Sequence, residues 1–267
     1  MSIYKAIADL ENNGEAGVFC TIVESKGSTP RHEGSKMLVY PDGHIIGTVG
    51  GGEIENRVIS EALDALRNRK TKVLHYTLVS PEKGDPGICG GQVEVYVEPI
   101  IPKVKLLVIG AGHVGKQVVH LAKWLDWRVI VSDDRAELCT KETMPGADEY
   151  VICKMSEVPD KIKITPYTYI VVCTRGSDVD IEGLPAILDT DPAYIGVIGS
   201  KRRWENTKKE INKKKDYSEK LNKIHSPIGI ELKAETPEEI AISILAEVLM
   251  IANAASGTSM SKAYREN

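Results

Sequence analysis

Apolar and polar residues keep two different rhythms along this chain, and the rhythm changes near residue 100. In the first half, Ile3 to Leu10 places apolar residues at helical spacing, and Gly17 to Val23 reads as a β-branched strand bounded by glycine. Lys36 to Tyr40 and His44 to Val49 flank Pro41, Asp42 and Gly43, the residues of a hairpin turn. Helical spacing returns from Glu53 to Arg67 through Ile54, Val58, Ile59, Ala62, Leu63 and Leu66. Thr71 to Val79 and Gln92 to Glu98 are two more predicted strands, separated by a loop rich in glycine and proline. Strands adjacent in sequence, with few helices between them, predict an α+β domain.

Pro99 and Pro102 are expected to interrupt any regular element, so residues 1–99 and 103–267 are predicted as separate domains. Beyond them strands and helices alternate. The apolar runs Val104–Ile109, Arg128–Val131, Tyr150–Cys153, Tyr169–Cys173 and Tyr194–Ile198 lack polar alternation, as parallel strands buried on both faces do. The fold class expected is α/β: a C-terminal Rossmann-type parallel sheet domain preceded by a smaller α+β domain. Pro237 to Ala254 reads as a long apolar helix with Thr236 as its N-cap. The Lys-dense stretch from Lys208 to Lys223 reads as the solvated face of a helix.

Composition narrows the function classes. With 42% apolar and 27% charged residues the chain has the make-up of a soluble globular protein, and with a single Phe its cores must be aliphatic. A formal charge of −4 argues against broad nucleic-acid binding while leaving room for a local cationic pocket. The start lacks the apolar region of a signal peptide, and no run approaches the roughly 18 apolar residues of a membrane span. The five cysteines include no CxxC pair and suggest no disulfide framework, which places the protein in the cytoplasm. Cys20, Cys153 and Cys173 sit in apolar runs and are expected to be buried.

The sharpest motif is Gly110-Ala111-Gly112-His113-Val114-Gly115, which follows a predicted strand and opens a predicted helix. In that setting Gly110 permits a tight turn, Gly112 lets the backbone approach a pyrophosphate, and Gly115 allows close helix–strand packing. The helix start at His113 adds unpaired N–H donors and a positive dipole end. Asp133 falls 23 positions after Gly110, near the expected spacing of about 20, and is placed to bond an adenine ribose. That favours NAD over NADP, although Arg135 stands two residues on. A second constellation is Gly27-Ser28-Thr29-Pro30-Arg31 with Gly47-Thr48-Val49-Gly50-Gly51-Gly52-Glu53-Ile54-Glu55. Gly50, Gly51 and Gly52 can form a backbone nest for an anion, with Arg31 as a forked cation beside it. A tight strand-to-helix turn that needs positive φ explains the same glycines equally well. Cys89, followed by two glycines and outside any apolar run, is expected to be exposed. Finally, Arg175 and Ser200 fall at carboxyl ends of later strands, where open α/β sheets bind ligands.

Taken in order, GSTPR, GTVGGGEIE, CGGQVEVYVEP, VIGAGHVG, SDDR, YIGVIGSKRR and HSPIGIELKAETPEEIAISILAE resemble the xanthine dehydrogenase accessory factor (XdhC/CoxI) family over nearly the whole chain. The resemblance implies binding of molybdenum cofactor (molybdopterin), its protection during sulfuration, and insertion into a molybdenum hydroxylase of the xanthine dehydrogenase type. Arg31, Gly50–Gly52, Glu55 and Cys89 are its candidate ligands in the first half. Many members have a cysteine where Glu53 stands, which leaves Cys89 to serve that role here. A cysteine desulfurase is a second candidate partner, a homodimer the expected assembly, and both halves are expected to act on one ligand. The expected role is that of a non-catalytic chaperone. An NAD(P)-dependent oxidoreductase acting on a small substrate is the alternative, and a nucleotide-sensing regulator a third reading. Against the oxidoreductase, no acid–base pair stands out in the sequence.

Overall fold

A ten-residue strand, β1 (Gly17–Lys26), organises the first half of the computed structural model, which describes residues 2–79, 86, 87 and 89–262. Most of the predicted loop rich in glycine and proline lies outside the described residues. β1 pairs antiparallel with β2 (Lys36–Val39) on one side and β5 (Gln92–Ile100) on the other. The outer strands β3 (Ile45–Gly47) and β4 (Lys72–Thr77) complete an antiparallel sheet ordered β3-β2-β1-β5-β4. Helix α2 (Gly52–Asn68) buries Ile54, Val58, Ala62, Ala65 and Leu66 and packs across β5 and β1. Helix α1 (Ile3–Asn13) sets Ala6 and Leu10 against Leu38 of β2.

The expected break at Pro99 does not occur. β5 runs through Pro99, which faces Val18 of β1. β4 pairs with β5 only as far as Val97, so at Pro99 the strand is locally an edge, the place where a missing N–H is tolerated. The chain divides into compact units at Met1–Lys103 and Val104–Asn267.

In the second unit five strands, β6 (Lys105–Ile109), β7 (Arg128–Asp133), β8 (Glu149–Ile152), β9 (Thr168–Val172) and β10 (Tyr194–Val197), lie parallel in the order β10-β9-β6-β7-β8. Chain order reverses between β6 and β9, the switch point at which such sheets bind ligands. Both faces are covered, as the unbroken apolar runs require. Leu106, Val108, Val129, Val131, Tyr169 and Val171 meet α3 (His113–Trp124) and α8 (Pro237–Ala252). Leu107, Ile109, Ile130, Ile170 and Val172 meet α5 (Ser177–Leu188) and α6 (Lys201–Asn212). A four-residue helix, α4 (Val158–Lys161), closes the β8–β9 connection. Thr236 caps α8 with Glu239 in a reciprocal capping box.

The Lys-rich stretch differs from expectation. α6 ends at Asn212 and a separate short helix, α7 (Ser218–Leu221), follows. Asn212 accepts from Tyr217 N and Asp216 from Ser218 N, both at 2.9 Å, side-chain bonds that compete with helix continuation. Among the described residues no helix is long and apolar enough to cross a membrane.

Candidate functional site

The glycine turn joins β6 to α3 as its spacing implies. Gly110 takes a φ of 115°, and a Cβ there would lie 2.4 Å from the carbonyl oxygen of Cys173. At Gly115 a Cβ would lie 2.0 Å from the carbonyl oxygen of Gly110, so the helix can approach its strand only without a side chain. A Cβ at Gly112 meets nothing within 4 Å. The turn is crowded at its two ends and open in the middle. His113, the first residue of α3, is exposed beside it.

Next to the turn a cleft of about 530 Å³ opens to solvent at the carboxyl ends of β6, β7, β8 and β9. Gly110, Asp133, Arg135 and Arg175 all line it, so four of the candidate residues meet there. Ile109, Cys153, Met155 and Val179 give it apolar walls, and Lys154 and Glu182 pair at 3.4 Å on its lining. Asp133 is not free for a ribose as expected. Its carboxylate accepts from Ala111 N at 2.7 Å, from Arg135 N and Nε at 2.9 Å each, and from Arg135 Nη2 at 2.8 Å. Burial alone would raise its pKa, but the bonds from Arg135 and Ala111 N hold it below the usual carboxylate value. It ties the glycine turn to the end of β7.

Asp134, which the sequence did not single out, takes both arms of Arg175 at 2.7 and 2.9 Å and is held down to about 2 by that pairing. The pair joins residues just beyond β7 and β9, the strands on either side of the glycine turn. Ser200 has a plainer role: it caps α6, accepting from Arg203 N at 3.2 Å. Arg203 in turn reaches buried Asp180 at 2.5 Å and Thr174 at 3.2 Å.

The first unit assembles its own constellation. Gly50, Gly51 and Gly52 carry φ values of 149°, 76° and 61°, so the positive φ that a tight strand-to-helix turn needs is present. Cβ atoms at Gly51 and Gly52 would meet nothing within 4 Å, which leaves the start of α2 open to a ligand. Glu55 is turned inward, accepting from the Thr48 hydroxyl and from Val49 N. A Cβ at Gly50 would sit 3.6 Å from Pro30, and one at Gly91 would sit 2.3 Å from the carbonyl oxygen of Ser28. The three loops that carry GSTPR, the glycine triplet and Cys89-Gly90-Gly91 therefore touch in pairs around the segment 28–30. Arg31 is exposed at the end of that segment. No regularity of spacing in the sequence could show that these loops meet, although the glycine at each contact is the trace it leaves.

Among the cysteines, Cys89 is exposed, and Cys20, Cys139 and Cys153 are buried. Cys173 is half-buried rather than buried, yet burial still pushes its thiol up to about 12, as it does that of Cys20. Thiol labelling of native protein at neutral pH should therefore modify Cys89 within minutes and the other four only on unfolding. Protection of Cys89 equal to that of Cys20 would remove it as a candidate ligand.

Comparison with known proteins follows the same division. Residues 10–77 match the XdhC and CoxI family, and residues 106–248 match the XdhC Rossmann domain. The chain is 33% identical over 264 residues to a protein of Escherichia coli described as uncharacterized protein YqeB, covering 98% of this chain and 48% of that protein. It is 30% identical over 155 residues to a probable xanthine dehydrogenase subunit of Bacillus subtilis, covering 58% of this chain and 45% of the other. It thus spans about half the length of each of these two relatives. It is also 23% identical to the molybdenum cofactor insertion chaperone PaoD of Escherichia coli, over 90% of this chain and 84% of that one. A crystal structure described as a xanthine dehydrogenase of Bacillus halodurans matches 99% of both chains with a TM-score of 0.51 and 23% identity, a likeness of fold. With both of its units matched, this chain is a member of the XdhC and CoxI family.

Proposed function

We propose that the protein binds molybdenum cofactor and delivers it to a molybdenum hydroxylase of the xanthine dehydrogenase type, as a chaperone rather than a catalyst. The observation that carries this reading is the meeting of three glycine-bearing loops in the first unit, with an open helix start, the exposed Arg31 and the exposed Cys89 among them. The donor set fits the cofactor's chemistry. Molybdopterin ends in a phosphate, which suits backbone N–H groups at the start of the 17-residue α2 and the forked charge of Arg31. Cys89 offers an exposed, soft sulfur ligand of the kind that molybdenum and sulfur chemistry uses. Similarity to a cofactor insertion chaperone points the same way. In this reading the protein works in the cytoplasm, as a homodimer, with a cysteine desulfurase as a further partner.

The test is to isolate the full chain from a host that makes the cofactor and to quantify bound pterin by its fluorescence after oxidation. Wild-type protein should carry molybdopterin, and Arg31→Ala should lower its retention about tenfold, the size of a lost charge-assisted hydrogen bond. Cys89→Ser should lower it as well. Wild-type protein devoid of pterin, while the host's own hydroxylases remain loaded, would sink the proposal.

A second ligand is proposed for the second unit. Its glycine turn has the crowded ends and open middle that a pyrophosphate needs, so we read it as a site for a nicotinamide dinucleotide.

A further inference from the structure

A Rossmann domain chooses between the two nicotinamide dinucleotides at the end of its second strand. A free carboxylate there takes the ribose 2′-hydroxyl, and a free arginine takes a 2′-phosphate. In this protein the second strand is β7, which ends at Asp133. The Asp133 carboxylate already holds four protein donors, as many as its roughly four acceptor sites accommodate, and its side chain is 3% exposed. A ribose diol has nothing to bond there. Beside it the cleft presents two guanidinium groups, Arg135 with 33% and Arg175 with 49% of the side chain exposed, and the Asp134 carboxylate, 33% exposed and already holding both arms of Arg175.

We propose that this cleft takes the 2′-phosphorylated dinucleotide in preference to the one with a free 2′-hydroxyl, with Arg175 as the phosphate contact; the proposal rests on reading the second unit as dinucleotide-binding. The charges that line the cleft are paired: Asp133 with Arg135, Glu182 with Lys154, Asp134 with Arg175. These pairs are not equally easy to open. Arg135 is locked by three bonds to a buried carboxylate, which leaves its planar face to stack on a base. The Asp134–Arg175 pair is bidentate but lies half in water, where each partner can be rehydrated when the pair opens, so it is the easier of these two arginine pairs to open. A phosphate carries more charge than one carboxylate and offers the same bidentate geometry to the arginine fork. Arg175 can therefore exchange Asp134 for the phosphate, and Asp134, with a third of its side chain exposed, can turn to solvent. Ile109, Met155 and Val179 supply the apolar surface for the adenine.

The experiment titrates the full chain with NADPH and with NADH, following nicotinamide fluorescence, and repeats this for Arg175→Ala and Asp134→Asn. Wild-type protein should bind NADPH at least about tenfold more tightly than NADH, the return on one charge-assisted contact. Arg175→Ala should erase that preference by weakening NADPH alone, and Asp134→Asn should tighten NADPH several-fold by removing the competing carboxylate. Equal affinity for the two dinucleotides, or an Arg175→Ala protein that loses both alike, would overturn the preference while leaving the dinucleotide reading intact. Binding of neither by folded wild-type protein would overturn both.

Discussion

Replacing Gly115 with alanine is expected to destabilise the second unit by about 3 kcal/mol or more, because a single methyl group has nowhere to go. Its Cβ would lie 2.0 Å from the carbonyl oxygen of Gly110, a backbone atom fixed by the turn and unable to yield as a flexible side chain would. Either α3 moves off β6, opening the apolar layer around Val108, Val118 and Val119, or the turn itself deforms. The expected fall in the melting temperature is about 6–12 °C, at roughly 2–4 °C per kcal/mol for a chain of this size. Tryptophan fluorescence reads this change cleanly, since Trp124, Trp127 and Trp204 all belong to the second unit. Gly112→Val is the matching control. Gly112 has an ordinary φ of −81° and open space beside it, so its variant should melt within a few degrees of wild type. It should nevertheless lose at least about tenfold in affinity for phosphate-bearing ligands, because the branched side chain occupies the approach to the turn. A folded Gly112→Val protein with unchanged affinity for NADPH and for molybdopterin would make the turn a structural device only.

How much of this is legible in the sequence depends on the range of the interaction. The parallel sheet can be read from the chain because strands covered on both faces need unbroken apolar runs, and those runs are local. The glycine turn can be read because its motif and its tightest contact, Gly115 against Gly110, lie within six residues, whereas the contact of Gly110 with Cys173 cannot be read from that motif. Pro99 misleads because its tolerance depends on where the partner strand β4 stops, a fact of pairing rather than of β5 itself. Spacing locates Asp133 but assigns it a ribose as partner, since nothing in that spacing says that Arg135 folds back onto it. The loops of the first unit are joined by contacts such as Gly91 against Ser28, which close distances in sequence that no periodicity spans. Least visible of all is a buried polar cluster on α8, where Glu247 stands inside an apolar helix and meets a tyrosine 53 positions earlier.

That cluster carries the second large effect. Glu247 is 6% exposed and accepts from Tyr194 Oη at 2.9 Å and Gly229 N at 2.6 Å, with His225 Nδ1 also at 2.6 Å. It binds α8, the edge strand β10 and the segment after α7 into one unit through a single carboxylate. Glu247→Leu keeps the volume but leaves two or three groups without a partner, so a loss of about 3–5 kcal/mol is expected at neutral pH. Burial by itself would raise the Glu247 pKa; the bonds from His225, Tyr194 and Gly229 N outweigh it and hold the carboxyl below its ordinary 4.5. A carboxylate depressed by folding contributes its stability in full above the unfolded value and loses it as pH falls through the folded one. The gap between wild type and Glu247→Leu should therefore be widest above pH 4.5 and should narrow as the solution is acidified below it. Urea unfolding followed by tryptophan fluorescence at about pH 7 and again at about pH 3.5–4 measures both quantities, the stability difference at neutrality and its decline. If the two proteins differ by less than about 1 kcal/mol at neutral pH, or differ by the same amount at both values, the carboxylate is not what holds these three elements together.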